Sequence, residues 1–200
     1  MHPNAAFRWE DRDAMRAFAK DIGFGMLFLN TPDGPHVAHL PFVFLDDDRI
    51  GFHMARNNAI ARYLDGAEAL FVINGPDGYI SPDYYGIPDQ VPTWNYVAIE
   101  LVGSVRKMDE AALIAQSDAL SHHQEMKLAP KPVWTRAKMA DGMFEKMLRG
   151  IYGFEMHITT WRSTLKLGQN KADAVRIAAA DGAEEAGNIA IADAMRNLAP

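Results

Sequence analysis

Residues 94–108 read WNYVAIELVGSVRKM, and the alternation in this run decides the fold. Val97, Ile99, Leu101 and Val105 fall on one face of an extended chain, with Asn95 at the head of that apolar row. Trp94 and Tyr96 share the opposite face. A long strand with one buried face is expected. Its polar first residue needs partners, and the aromatic pair offers a flat surface to a ligand or a neighbour.

The same pattern recurs on either side. FGMLFLN (24–30), HVAHLPFVF (36–44) and RIGFHMA (49–55) are short apolar runs split by TPDGP and LDDD, the signature of hairpins in an antiparallel sheet. EALFVI (68–73), GYIS (78–81) and IYGFEMHITTW (151–161) read as further strands, the last with Phe154, Met156 and Ile158 on one side. Helices are expected over 10–22, 58–64, 109–126 and 136–148, and again through the alanine-rich segment from about residue 170. In the 136–148 helix, Met139, Met143 and Met147 read as core. Pro82, Pro88 and Pro92 make 82–93 an irregular wall carrying Tyr84 and Tyr85. No repeat or linker interrupts the chain. The expected architecture is mainly β with α: residues 1–200 as a single domain, a β-barrel core of six or seven strands with peripheral helices and a helical C-terminal extension.

Bulk composition narrows the function. Two hundred residues, 48% hydrophobic and 23% charged, suit one globular core. The net charge of −6 has the wrong sign for a protein that coats nucleic acid; the best candidate for a locally basic face is the stretch from Lys127 to Lys146. The chain has no cysteine, which removes disulfides, thiolate catalysis and thiolate metal sites. No apolar run approaches the ~20 residues of a membrane span. The first residues lack a basic-then-apolar layout, so no secretory signal is expected and the cytoplasm is the expected compartment.

Several segments carry candidate chemistry. Neither GxxxxGK[ST] nor GxGxxG occurs, so a nucleotide must be held in another way. His36 and His39 point to opposite faces of their strand, and His122 and His123 are adjacent on a helix, so no metal site is expected. In HMARNN (53–58), Ile50, Phe52 and Met54 form the inward row. His53 and Ala55 therefore look outward, with Arg56, Asn57 and Asn58 at the junction that follows. A helix start there, with its exposed N–H groups and an arginine, would suit a phosphate. KLGQNK (166–171) either reads the carbonyl and imide edge of a planar ring or forms a polar turn capping a helix at Asn170. Pro41 removes a donor and leaves a neighbouring strand unpaired, a gap in which a flat ligand could lie.

Taken together, AHLPFVF (38–44), GFHMARNN (51–58), GPDGYISPDYY (75–85), VPTWNY (91–96), GFEMHIT (153–159) and KLGQN (166–170) resemble the FMN-binding negative transcriptional regulators of the PaiB type, relatives of the flavin split barrels. The resemblance implies a split barrel, homodimeric, with FMN in a groove at the dimer interface. Carried over by residue, His53, Ala55, Arg56, Asn57 and Asn58 would hold the phosphate and ribityl part. Leu40 and Pro41, with Thr93, Trp94, Asn95 and Tyr96, would border the ring, and Lys166, Gln169 and Asn170 would reach its polar edge. The chain departs from the family pattern at His2, at Tyr84, at Gly168 and Lys171, and in a short stretch between Tyr85 and Val91.

The implied function is that of an FMN-binding protein, either a flavin-dependent oxidoreductase with a small-molecule substrate or nicotinamide partner, or a regulator that uses FMN as a structural or sensory ligand. DNA binding has weak support, since no helix-turn-helix is evident. A haem-handling split barrel is a third reading, for which no axial histidine stands out. No residue presents itself as a catalytic acid or base.

Overall fold

The computed structural model describes residues 2–199. The elements run α1 (Arg12–Ile22), β1 (Phe24–Thr31), β2 (Gly34–Phe44), β3 (Arg49–Ala55), β4 (Glu68–Ile80), β5 (Thr93–Lys107), α2 (Glu110–Met126), α3 (Met143–Leu148), β6 (Ile151–Lys166), α4 (Asp173–Glu185) and α5 (Ile189–Asn197). The six strands close on themselves in the order β1-β2-β3-β6-β5-β4. The pairings β1–β2, β1–β4, β2–β3 and β3–β6 are antiparallel. This is the expected mainly-β split barrel with peripheral helices.

The alternation read from the sequence sets the core. Val97, Ile99, Leu101 and Val105 of β5, Ile50, Phe52 and Met54 of β3, and Phe154, Met156 and Ile158 of β6 are all buried. Gly103 continues the inward row of β5 because nothing larger fits: a Cβ there would stand 2.0 Å from the backbone oxygen of His157. Proline chemistry accounts for the split. β2 pairs with β1 through Pro41, whereas its ladder with β3 spans only Phe42↔Phe52 to Phe44↔Ile50. Pro41 has no N–H with which to extend that ladder, so the end of β3, from His53 on, has no described partner on β2.

The chain divides into two compact units. One comprises Arg16–Ile73 and Leu101–Trp161. Here α2 lies over β2 and β3, and Gly51 and Gly153 make room for it. A Cβ at Gly51 would meet Gln116 at 2.8 Å, and one at Gly153 would meet Leu113 at 2.9 Å. The other comprises the segments up to Met15, Asn74–Glu100 and Arg162 onward. Its helices α4 and α5 pack through small residues, with Ala179, Ala180, Ala183 and Ala192 fully buried. Tyr84, in the 3₁₀ turn Pro82–Tyr85, rests on Gly182 of α4.

Five expectations on local structure are corrected. Residues 58–64 form no α-helix; only the 3₁₀ turn Ala61–Tyr63 is present. Asn58 caps this bend itself, accepting from the Ile60 N–H at 3.1 Å. The expected 136–148 helix is broken into a 3₁₀ turn, Arg136–Lys138, and the six-residue α3, because Gly142 sits at φ +72° between them. Its methionines are not core: Met143 is 42% and Met147 61% exposed, and the apolar residue that α3 buries is Leu148. Residues 68–73 and 78–81 are two ends of one strand, β4. The C-terminal helices begin at Asp173, with Ala172 at the cap and no side chain capping, so Asn170 does not cap α4.

Candidate functional site

The first group of candidate residues lies where β3 leaves its ladder with β2. Leu40 is buried and belongs to the core row of β2, while Pro41 beside it is half-exposed. His53 points outward as expected but is covered by α2, with its Nδ1 3.1 Å from Oε1 of Gln116. Ala55, Arg56 and Asn57 are exposed, and Asn58 is occupied by its own turn. Arg56 is the fixed point of the segment. Its backbone N–H donates to the carbonyl of Gly150 at 3.0 Å and its Nε to that of Ile151 at 3.1 Å. Its guanidinium lies 4.5 Å from the centre of the Tyr152 ring, and the Lys107 ammonium lies 3.7 Å from that same centre. Two cations thus share one aromatic ring, each within the ~6 Å over which a ring face attracts a positive charge.

These groups line a cleft of about 230 Å³ with Asp109, Glu110 and Arg149 at its rim. Asp109 is partly spoken for, since its carboxylate caps α2 by accepting from the Ala112 N–H at 2.8 Å. The terminal N–H groups of Arg56 point to no described protein acceptor. Lys107 was not among the sequence candidates. It is the last residue of β5, but only the pairing of β3 with β6, which sets Ala55 opposite Ile151 and Met54 opposite Tyr152, brings it to Arg56.

The second group lies in the other unit. Trp94 and Tyr96 face outward from β5 and Asn95 faces inward, as the alternation requires. Trp94 is 51% exposed, donates from Nε1 to Asp77 Oδ1 at 3.0 Å, and meets Tyr79 edge-on at 6.2 Å. Asn95 is 1% exposed and its Nδ2 donates to Met195 Sδ at 3.4 Å. Lys166 donates to Thr93 Oγ1 at 2.6 Å, and burial holds its ammonium below the usual lysine range. Thr93, Asn95, Lys166 and Asn170 all line one cavity of about 250 Å³, together with Phe7, Tyr85 and Lys171. Gln169 is turned away from it: its Oε1 accepts from the Leu167 N–H at 2.9 Å, and its Nε2 donates to the carbonyls of Leu165 and of Ala6. Of the two readings of KLGQNK, Gln169 and the positive φ of Gly168 make the turn, while Lys166 and Asn170 remain available to a ligand.

Among the described residues no cluster of histidine and carboxylate side chains could hold a metal ion, and no helix is long and apolar enough to cross a membrane.

Comparison with known proteins places these features in a family. The model of the family described as "Putative FMN-binding domain" matches residues 1–160. The protease synthase and sporulation protein PAI 2 of Bacillus subtilis is 27% identical over 169 residues, covering 82% of this chain and 80% of that protein. The fold recurs in the FAD and heme binding protein of Mycobacterium smegmatis, at 18% identity and a TM-score of 0.60 over 80% of this chain and 74% of that one. It recurs also in the flavocytochrome Anf3 of Azotobacter vinelandii, at 14% identity and a TM-score of 0.59 over 84% and 73% of the two chains. A match over residues 1–160 of a 200-residue chain settles membership: the chain belongs to the FMN-binding family of PAI 2 type, and FMN is its cofactor.

Proposed function

We propose that the chain holds FMN by its phosphate at Arg56 and Lys107 and uses the bound flavin for redox chemistry on a small molecule. The observation that carries this reading is the pair of cations on Tyr152, at the end of β3 that pairs with β6 and no longer with β2. The donor set fits the group. Arg56 keeps its terminal N–H groups for a phosphate while Nε is anchored to Ile151, and a guanidinium and an ammonium together match a dianion. Ala55 adds only a methyl group in front of the backbone. The cleft of about 230 Å³ is small beside the 300 Å³ or more that encloses a drug-sized ligand, so it takes the phosphate end rather than the whole cofactor. Bound FMN would supply the electron acceptance and donation; the protein's share is to fix and shield it.

Redox chemistry is favoured over DNA binding because three of the five cations in the basic stretch 127–146 are already paired. Lys131 pairs with Glu125, Arg136 with Asp118 at 3.3 Å and Lys127 with Asp21 at 3.5 Å. Cations already paired release few counterions on meeting a phosphate backbone. The FAD, heme and flavocytochrome descriptions of the structural relatives point the same way. We also propose a cytoplasmic homodimer. Ile87, Val91, Tyr79 and Trp94 are all exposed in one unit, a loss of apolar surface to water that a second copy would remove.

The test is the spectrum of the purified protein. A flavin spectrum bleached by NADH or NADPH, with reoxidation by an added electron acceptor, is the expected result. A colourless protein that takes up no FMN, or a flavin inert to both nicotinamides and to dithionite, overturns it. Light scattering should give the mass of a dimer; a stable monomer at micromolar concentration sinks that part.

A further inference from the structure

The cavity in the unit that carries Lys166 and Lys171 has a charge imbalance that the phosphate contact at Arg56 leaves unused. Both ammonium groups line it, and no aspartate or glutamate does. Among the described residues neither lysine forms an ion pair. Their partners are neutral: Thr93 Oγ1 for Lys166, at 2.6 Å, and Gln90 Oε1 for Lys171. Each also stands over an aromatic ring, Lys166 at 5.9 Å from Phe7 and Lys171 at 4.6 Å from Tyr85.

Withdrawing a cation from water without a counter-charge is costly, and hydroxyl, amide and ring contacts offset only part of that cost. The carboxylate is missing from a wall that could have carried one. Asn95 adds a second signal. It is 1% exposed and lines the cavity, yet its amide N–H reaches only the thioether of Met195, a weak acceptor. A polar group so deeply buried calls for a better partner.

We propose that this cavity binds a small carboxylate on a flat or apolar body. Lys166 and Lys171 take the charge, the Asn95 amide donates a hydrogen bond, and Phe7 and Tyr85 accept the body. At about 250 Å³ it admits a molecule the size of a benzoate rather than a dinucleotide. Lysines suit this task as point charges that need no forked geometry. The site would take the substrate or an effector of the FMN protein, and it goes beyond the phosphate contact assigned to Arg56.

Titration of FMN-loaded protein with benzoate, followed by calorimetry, tests this. Binding should be saturable, weakened at least tenfold in each of Lys166→Met and Lys171→Met, and unchanged in Arg56→Ala reloaded with excess FMN. Inorganic phosphate should bind more weakly than benzoate; tighter phosphate binding, lost in the same lysine variants, would overturn the carboxylate class. No benzoate binding, or binding that survives both substitutions, overturns the site itself. If Lys166→Met lowers FMN affinity while sparing riboflavin, the lysines hold the cofactor's phosphate and the inference fails, a result distinct from loss of the Arg56 contact. Lys171, half-exposed at the rim, gives a variant that folds even where Lys166→Met does not.

Discussion

The cleft at Arg56 and the cavity at Lys166 are built from the same parts and balanced oppositely. Each sets two cations against aromatic rings. In the first, Asp109 and Glu110 share the rim, and Arg56 is braced by the carbonyls of Gly150 and Ile151. In the second no carboxylate is present, and the lysines lean on a threonine and a glutamine. The two sites therefore keep different kinds of anion. A braced, exposed guanidinium recognises a phosphate by geometry. A desolvated, unpaired ammonium recognises any compact anion by charge, and its protein carries the cost until the anion arrives.

Disrupting the sheet should have the largest effect on both sites. Gly103→Ala places a methyl 2.0 Å from a backbone oxygen, where no side chain can yield. A loss of about 3 kcal/mol or more is expected, read as a fall in the denaturant midpoint with loss of FMN uptake. Arg56→Ala comes next. A charge-assisted contact contributes ~1.5–3 kcal/mol, so the FMN dissociation constant should rise about ten- to a hundredfold, with riboflavin binding unchanged in a fluorescence titration. An unchanged FMN constant would move the phosphate elsewhere. Lys107→Met should cost less, at most about fivefold, since an exposed ion pair contributes only ~0.2–1 kcal/mol; an effect larger than that of Arg56→Ala would reverse their roles.

The smallest effect has an unusual sign. Burial lowers the Lys166 pKa from the ordinary 10.5, so the folded state holds that proton less firmly than the unfolded one. Stability from this group is present above 10.5 and is lost as pH falls through the lowered value. At neutral pH Lys166→Met should therefore equal or slightly exceed the parent in melting temperature. The gap should close as pH rises toward 10.5, in variant-minus-parent melts that cancel the titration of Lys171, Tyr85 and His2 nearby. A clear loss of stability in the variant at pH 7 would mean that Lys166 is paired. Excess benzoate should raise the melting temperature of the parent more than that of the variant.

Strand periodicity was legible from the first residues. Asn95 and the row behind it, the inward residues of β3 and the outward turn of Trp94 all follow from a period of two, which the chain enforces locally. Where local signals were weaker the structure ruled otherwise. The methionines at 143 and 147 have helical spacing but no surface to face, and Asn58 satisfies its own turn instead of opening a helix.

The sequence alone determined the alternation of the strands, the break at Pro41, the family motifs and the absence of thiol chemistry, because each depends on one residue type or on neighbours a few bonds apart. The tertiary structure decided which charges meet. Lys107 reaches Tyr152 across 45 positions and Lys166 reaches Thr93 across 73, separations that only strand register can close. Whether a lysine finds a carboxylate or an empty wall is likewise a property of packing, since the burial that makes an unpaired charge costly does not exist until the barrel has formed.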